Sequence, residues 1–405
     1  MPRQKKIKFA QGFKHATPEE IREAIGDCHN ERHYHFEMKR PSDDETNFYC
    51  PVPDPTSIDD WLAQYVEDRD TFDEWNGLRK KIAGKNFHLK KNIGLLWIEK
   101  DGDSNDRRKY LTHLKRFVEA FYYGINVTIL DSVHIKKDKH GHFVESEDII
   151  YRIKSRRCHE YDEDKAGEDE IQFRAADVIV PLNKLRKHLQ DEVSCVCGVT
   201  MDDLYIGAKD SFTCGLAQGG DSIGVFSMCR YDPLFRKSAP KKRNKKITVS
   251  WEEDGIINED TLTENDLVIL ERCCKIVVHE IAHMVQVGHC VFFDCIMNGS
   301  GHLEEDFRQS IHLCPVDLRK FQYLIGFDIA QRYRALLNFY ESYHMKEAAS
   351  WTQDMIQYIT KRSHNDESEI INLDDEEDQV EDEESDHTDD ILNEDIISSP
   401  NKKRK

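Results

Sequence analysis

No stretch of this 405-residue chain holds eighteen consecutive apolar residues, so no segment is expected to span a membrane. The first residues, MPRQKKIKFAQGF, lack the apolar core of a secretory leader and are basic and polar instead. These absences predict an intracellular, cytoplasmic protein. Two short basic clusters, PKKRNKK at 240–246 and NKKRK at the end, are candidate nuclear import signals. In a reducing compartment the 12 cysteines stay as thiols, and clustered ones read as metal ligands rather than disulfides. Positive charge is missing from 366–395, where 17 residues are acidic and none is Lys or Arg. Without that run and the four terminal positive charges, the net charge of -20 shrinks to about -7. Such a segment repels itself and cannot bury a core, which also explains a hydrophobic share of only 39%. It reads as a solvated tail, or as a docking segment for a basic protein partner. No internal repeat occurs, and no nucleic-acid partner is expected.

The chain divides into an irregular N-terminal segment (1–55), a folded domain (56–345), a helical extension (346–363) and the acidic tail with its basic end (364–405). In the first segment His29, His33 and His35 stand near Cys28, with nothing nearby to complete a metal site. From TSIDDWLAQY onward, Trp61, Leu62, Tyr65 and Val66 recur at helical steps. NIGLLWIEK reads as a strand, YLTHLKRFVEAFYY as an amphipathic helix stopped by Gly124, and INVTILDSV as a second strand. Residues 138–169 are polar and poorly patterned, and a long loop is expected there. AADVIVPLNKLRKHLQ opens another helix, SCVCGVTMDDLY is a buried strand, and FTCGLAQGGDSIGVFSMCRY holds two short strands around QGGD. TLTENDLVILERCCKIVVHEIAHMV then runs with helical periodicity, capped by Thr261 or Thr263, as one helix or two. Strands and helices before one long helix predict an α/β domain with that helix behind a sheet.

Within the long helix, His279 and His283 are four residues apart, about 40° around the axis and about 6 Å along it. Both imidazoles project to one side, where one ion can sit between them. Glu280 is rotated about 100° further, poorly placed as a ligand and well placed to meet water at the metal. His289 cannot join them on a continuous helix, because it would lie about 15 Å from His279 along the axis. The chain has to turn back first. A metzincin pattern, H-E-x-x-H-x-x-G-x-x-H, turns at its glycine. This chain has Gln286 there and Gly288 two residues later. Either Gln286 adopts a left-handed conformation, or the helix continues and turns at Gly288. Cys273 and Cys274, one to two turns earlier, read as buried small residues rather than ligands.

The stretches HEIAHMVQVGHCVFFDCIM and GHLEEDFRQSIHLCPVDLRKFQYLIGF resemble the archaemetzincins, whose motif is H-E-x-x-H-x-x-G-x-x-H-C, four residues, C-x-M, then C-x-x-C. Upstream, CVCGVTMDDLY, FTCGLAQ and GVFSMCRY are similar too, as is GFDIAQRYRALLNFY downstream, so the likeness covers roughly 60–345. The resemblance implies an α/β (α+β) zincin or metzincin-like domain: a twisted mixed sheet, a long active-site helix and a small C-terminal subdomain. It implies a catalytic zinc on His279, His283 and His289, Glu280 as base and acid, and Met297 beneath the metal. It also implies a second, structural zinc on Cys290, Cys295 and Cys314, whose fourth cysteine position is Asp317 here. The implied function is a zinc-dependent metallopeptidase that hydrolyses peptide bonds in peptide or protein substrates with a zinc-bound water activated by Glu280. The departures at Gln286 and Asp317, with the acidic tail, suit a second function: a zinc-stabilised interaction module with little or no turnover.

Overall fold

A computed structural model describes residues 7–26, 48–83, 92–101, 108–146, 149–158, 171–219, 221–235 and 245–360. Contacts divide the chain into two units, Met1–Ile356 and Gln357–Lys405. In the second, 357–360 are described and are helical. The histidines near Cys28, the acidic tail, the basic terminus and most of the basic run at 240–246 lie outside the described residues.

In the first unit, helices α1 (Pro18–Ile25), α2 (Trp61–Gln64) and α3 (Phe72–Ala83) precede strand β1 (Asn92–Lys100) and helix α4 (Lys109–Phe121). Strands β2 (Val127–Ile129), β3 (Val133–Asp138), β4 (Gly141–Ser146), β5 (Ile149–Ile153), β6 (Ser155–Arg157) and β7 (Ile171–Arg174) follow. Next come helix α5 (Ala175–His188) and strands β8 (Val193–Thr200), β9 (Asp203–Tyr205), β10 (Gly215–Gln218) and β11 (Ile223–Ser227). The hairpin β12 (Lys246–Glu253) and β13 (Ile256–Thr263) leads into α6 (Glu264–Met284), and α7 (Leu303–Arg308), α8 (Pro315–Ile325) and α9 (Ile329–Ser342) complete the named elements. Residues 346–356 are helical as well.

The main sheet is mixed, with strand order β10-β11-β8-β1-β3-β4-β5, and β2 also pairs with β1. Its centre is parallel: β1 runs with β2, β3 and β8, and β8 runs with β11. All eight residues of β8 are buried, as a parallel strand covered on both faces requires. Helix α5 covers one face, joining Val178, Ile179 and Leu182 to Leu96, Ile98, Val196 and Val225. Helices α4 and α6 pack together, and both reach the sheet. Helix α6 packs against β10 and β11, and β10, antiparallel to β11, ends the sheet among the described residues.

One capping box starts α6 as a single helix. The Thr263 hydroxyl accepts from Asp266 N–H, and the Asp266 carboxylate accepts from Thr263 N–H. A cap of this kind contributes about 1 kcal/mol. Tyr110 of α4 also donates to Asp266 and fixes the helix start against its neighbour. Cys273 and Cys274 are fully buried side chains in its packed face, as expected.

Three local expectations need correction. The segment 1–55 is not irregular throughout, because α1 forms on its own capping box of Thr17 and Glu20 with Pro18 at the first turn. The helical period at 61–66 ends at Gln64, and Tyr65 is extended, with φ -120° and ψ 149°. Tyr65 and Val66 are exposed, so no core face holds a second turn there. The loop expected over 138–169 is largely β3, β4, β5 and β6 in its described part. Asp138 Oδ1 accepts from His140 N–H at 2.8 Å, and Gly141 turns at φ 115°. Val144 and Ile153 then reach the core, and Arg152 donates to Asp138 across the meander. The hairpin β12–β13 was likewise not foreseen. It closes on Asp254 and Gly255, both at positive φ, the tight turn that suits strand twist.

Candidate metal centres

Helix α6 stops one residue after His283, and Gln286 rather than Gly288 makes the turn. Gln286 has φ 68°, in the left-handed region. Its N–H donates to the His283 carbonyl at 3.0 Å, and Val287 N–H donates to the Ala282 carbonyl at 3.0 Å. That bond pair is a Schellman ending with glutamine at the position glycine usually takes. Left-handed backbone costs a residue with a Cβ about 1–2 kcal/mol. The turn sends the chain back so that His289 faces the helix.

The three imidazoles converge. Their ring centroids lie 4.5 Å (His279–His283), 5.0 Å (His283–His289) and 5.4 Å (His279–His289) apart. Each turns Nδ1 outward: His279 to the Ile296 carbonyl, His283 to the Val287 carbonyl and His289 to Glu67 Oε1, all at 2.8 Å. A carbonyl only accepts, so Nδ1 carries the proton in His279 and His283. Their Nε2 atoms are then bare acceptors, yet they face each other at 2.9 Å. Two lone pairs at that distance call for a cation between them, and the residues present fit one. Burial, then the charges of His283 and His289, holds His279 well below the ordinary histidine range, and burial with the charge of His289 brings His283 down to about 4. The neutral ligating form follows.

Glu280 is 8% exposed. It faces the rim strand, where a Cβ on Gly215 would come 2.5 Å from Glu280 Oε1. A side chain at that position of β10 would displace the carboxylate. Burial, with a lesser push from Asp306, raises the Glu280 carboxyl to about 8 before any cation is bound. Met297 is buried, and its carbonyl accepts from Cys290 N–H at 2.7 Å.

Ligand atoms of Cys290, Cys295, Cys314 and Asp317 all lie within 4.8 Å of one another, and all four residues are buried. Cys290 and Cys314 sulfurs are 3.6 Å apart, and Asp317 Oδ2 is 3.3 Å from Cys295 Sγ and 3.5 Å from Cys314 Sγ. Tetrahedral zinc with ordinary bond lengths places sulfurs about 3.8 Å apart and sulfur and oxygen about 3.5 Å apart. The set fits that ion. Cys314 N–H points to Cys295 Sγ at 3.3 Å, the kind of donor a thiolate needs. Burial pushes the Asp317 carboxyl up to about 6, against the pull of Lys320.

A third group, Asp60, His302 and Glu305, is also close enough to hold an ion. Protein donors already occupy it. Asp60 Oδ2 accepts from Thr56 N–H and Arg308 at 2.6 Å, and its Oδ1 accepts from His302 at 2.7 Å. Glu305 Oε2 accepts from Trp61 N–H at 2.8 Å and Gly301 N–H at 2.6 Å. It reads as a clamp.

Every expected ligand therefore stands in one of two clusters, and they share one loop: His289 and Cys290 are adjacent, as are Cys295 and Ile296. Sequence reasoning missed Glu67, Lys320 and the Ile296 carbonyl. Lys320, three residues past Asp317 on α8, was within reach of a helical-spacing argument. Glu67 lies 222 residues from His289 with no local signal.

A buried helix with two histidines and a glutamate, turned back to bring a third histidine, defines a metalloprotease-type centre. The model for peptidase family M54 matches residues 244–323. Archaemetzincin-2 of Mus musculus is 29% identical over 310 residues, 75% of this chain and 78% of that protein. Archaemetzincin-2 of Homo sapiens is 30% identical over 287 residues, 69% and 72% of the two chains. The archaemetzincin structure from Methanopyrus kandleri is 19% identical with a TM-score of 0.34, covering 58% of this chain and 97% of that one. The chain belongs to the archaemetzincin family and is a metalloprotease.

Proposed function

We propose that the chain hydrolyses peptide bonds with one zinc ion held by His279, His283 and His289, and with Glu280 as general base and then general acid. A second zinc on Cys290, Cys295, Cys314 and Asp317 is structural. The observation that carries this reading is the outward anchoring of the ligand rings, which leaves the Nε2 atoms of His279 and His283 facing each other as bare acceptors. Zinc, when bound there, supplies Lewis acidity toward a carbonyl oxygen and toward water. Glu280 takes a proton from the attacking water and delivers it to the leaving amine nitrogen, so both products form without an external proton. Its buried position keeps the carboxylate aimed and excludes competing solvent. Among the described residues no strand pairs with the outer edge of β10, beside Glu280, which supports binding of an extended substrate peptide as an added strand.

Cleavage of a peptide library by wild type and Glu280→Gln tests the reading, with zinc quantified in both. Glu280→Gln is expected to keep its zinc and to lose about 10²–10⁴-fold in turnover. Equal turnover removes Glu280 from the chemistry. Wild type that binds zinc and cleaves nothing supports the interaction module instead.

A further inference from the structure

We propose that Glu67 is a positioning residue for His289, fixing the orientation of the third ligand from a strap that packs beside it. This inference rests on the three-histidine reading above.

The three ligands are not supported alike. His279 and His283 sit on a long helix and lean on carbonyls of the loop that follows it. His289 comes after the helix, and its Nδ1 meets a carboxylate instead, Glu67 Oε1 at 2.8 Å. An ionised carboxylate only accepts, so this contact puts the proton on Nδ1 and turns Nε2 toward His279 and His283. It also makes the ring a more basic ligand than a carbonyl partner would. Glu67 is held in turn. The Trp61 indole donates to the same Oε1 at 2.6 Å, and the Trp61 ring stands edge-on to His289 with centroids 5.2 Å apart.

The rest of the strap is tied down on both sides of Trp61. Asp60 is clamped by Arg308 and His302, and Trp61 N–H by Glu305. Leu62 packs with Val52 and Val291, the latter two residues past His289. Gly299 admits the strap by lacking a side chain: a Cβ there would meet the Trp61 ring at 2.5 Å. A solvent-facing ion pair needs none of this. Glu67 is held by both His289 and Trp61, whose own backbone is tied down, so its effect falls on the ligand. The opposing reading is an ordinary half-exposed pair, since the side chains are 20% and 26% exposed, and such pairs contribute little.

The test uses the full chain with zinc or cobalt, comparing wild type, Glu67→Gln, Glu67→Ala and His289→Ala. Zinc affinity is read by competition with a chromophoric chelator, and the ligand field by the visible spectrum of the cobalt form. Glu67→Ala is expected to bind the histidine-site ion about 10–100-fold more weakly and to shift the cobalt bands. Glu67→Gln, which keeps the shape and an acceptor oxygen, is expected to fall between it and wild type. The cysteine-site ion is expected to stay in all variants. Wild-type affinity and an unshifted cobalt spectrum in both Glu67 variants overturn the proposal. A lowered melting temperature in Glu67→Ala leaves the decision with the isosteric Glu67→Gln. Wild type that holds no ion sensitive to His289→Ala overturns the three-histidine reading itself.

Discussion

Lys320 Nζ lies 3.0 Å from Asp317 Oδ1, with the two side chains 3% and 1% exposed. The lysine engages one carboxylate oxygen and leaves Oδ2 turned to Cys295 and Cys314. The Lys320 ammonium favours the anionic form a ligand needs, opposing the burial that raises the carboxyl. In the proposed second site Asp317 would take the fourth place with an oxygen, and Lys320 would offset part of the cluster's negative charge. Asp317→Ala is expected to retain one zinc per chain after dialysis against a chelator where wild type retains two. Asp317→Cys restores four thiolates and should retain both. Metal analysis by mass spectrometry decides, and two ions in Asp317→Ala would remove it from the ligand set.

Gln286 makes the helix-ending turn with a left-handed backbone at φ 68°. Gln286→Gly relieves a cost of about 1–2 kcal/mol but gives the unfolded chain more freedom. The net expectation is a melting temperature higher by about 1–3 °C, with zinc content unchanged. A clear fall would mean that the glutamine side chain contributes contacts that outweigh its backbone strain.

Asp60 supplies a pH-dependent element. Burial pushes its carboxyl up, but Arg308, the Thr56 amide, His302 and the Ser57 amide together hold it well below the ordinary carboxylate range. A depressed folded pKa stabilises above the unfolded value near about 4, and the benefit disappears as pH falls through the folded value. Asp60→Asn should therefore melt about 2–6 °C below wild type at pH 7, with the gap closing as pH drops below about 4. Melting curves from pH 7 to pH 3 check this, and a constant gap would assign the loss to packing alone.

Sequence made the centre of the domain legible. β1 and β8 are near-continuous apolar runs because both faces of the sheet are covered, and α6 announced itself by its cap and its periodicity. His279 and His283 were legible from helical spacing, whereas Cys290, Cys295, Cys314 and Asp317 came from the family resemblance, since they join a loop to the start of α8. The strands after Asp138 were not, since only alternate residues such as Val144 face the core while neighbours such as Ile150 face solvent. Their pairing depends on a sheet already formed by β1 and β3. The strap was misread for a related reason: Trp61, Leu62, Tyr65 and Val66 keep helical spacing, yet bonds from Glu67 to His289 and Trp61 fix the chain just beyond them. Partners 222 residues apart leave no periodic trace.

Anomalous diffraction at the zinc edge from crystals of the zinc-loaded chain tests the central claim most directly. Two peaks are predicted, one equidistant at about 2.0–2.1 Å from the Nε2 atoms of His279, His283 and His289 with a coordination position open, the other among Cys290, Cys295, Cys314 and Asp317. A single peak at the cysteines, or a histidine-site ion out of reach of His289, would contradict it.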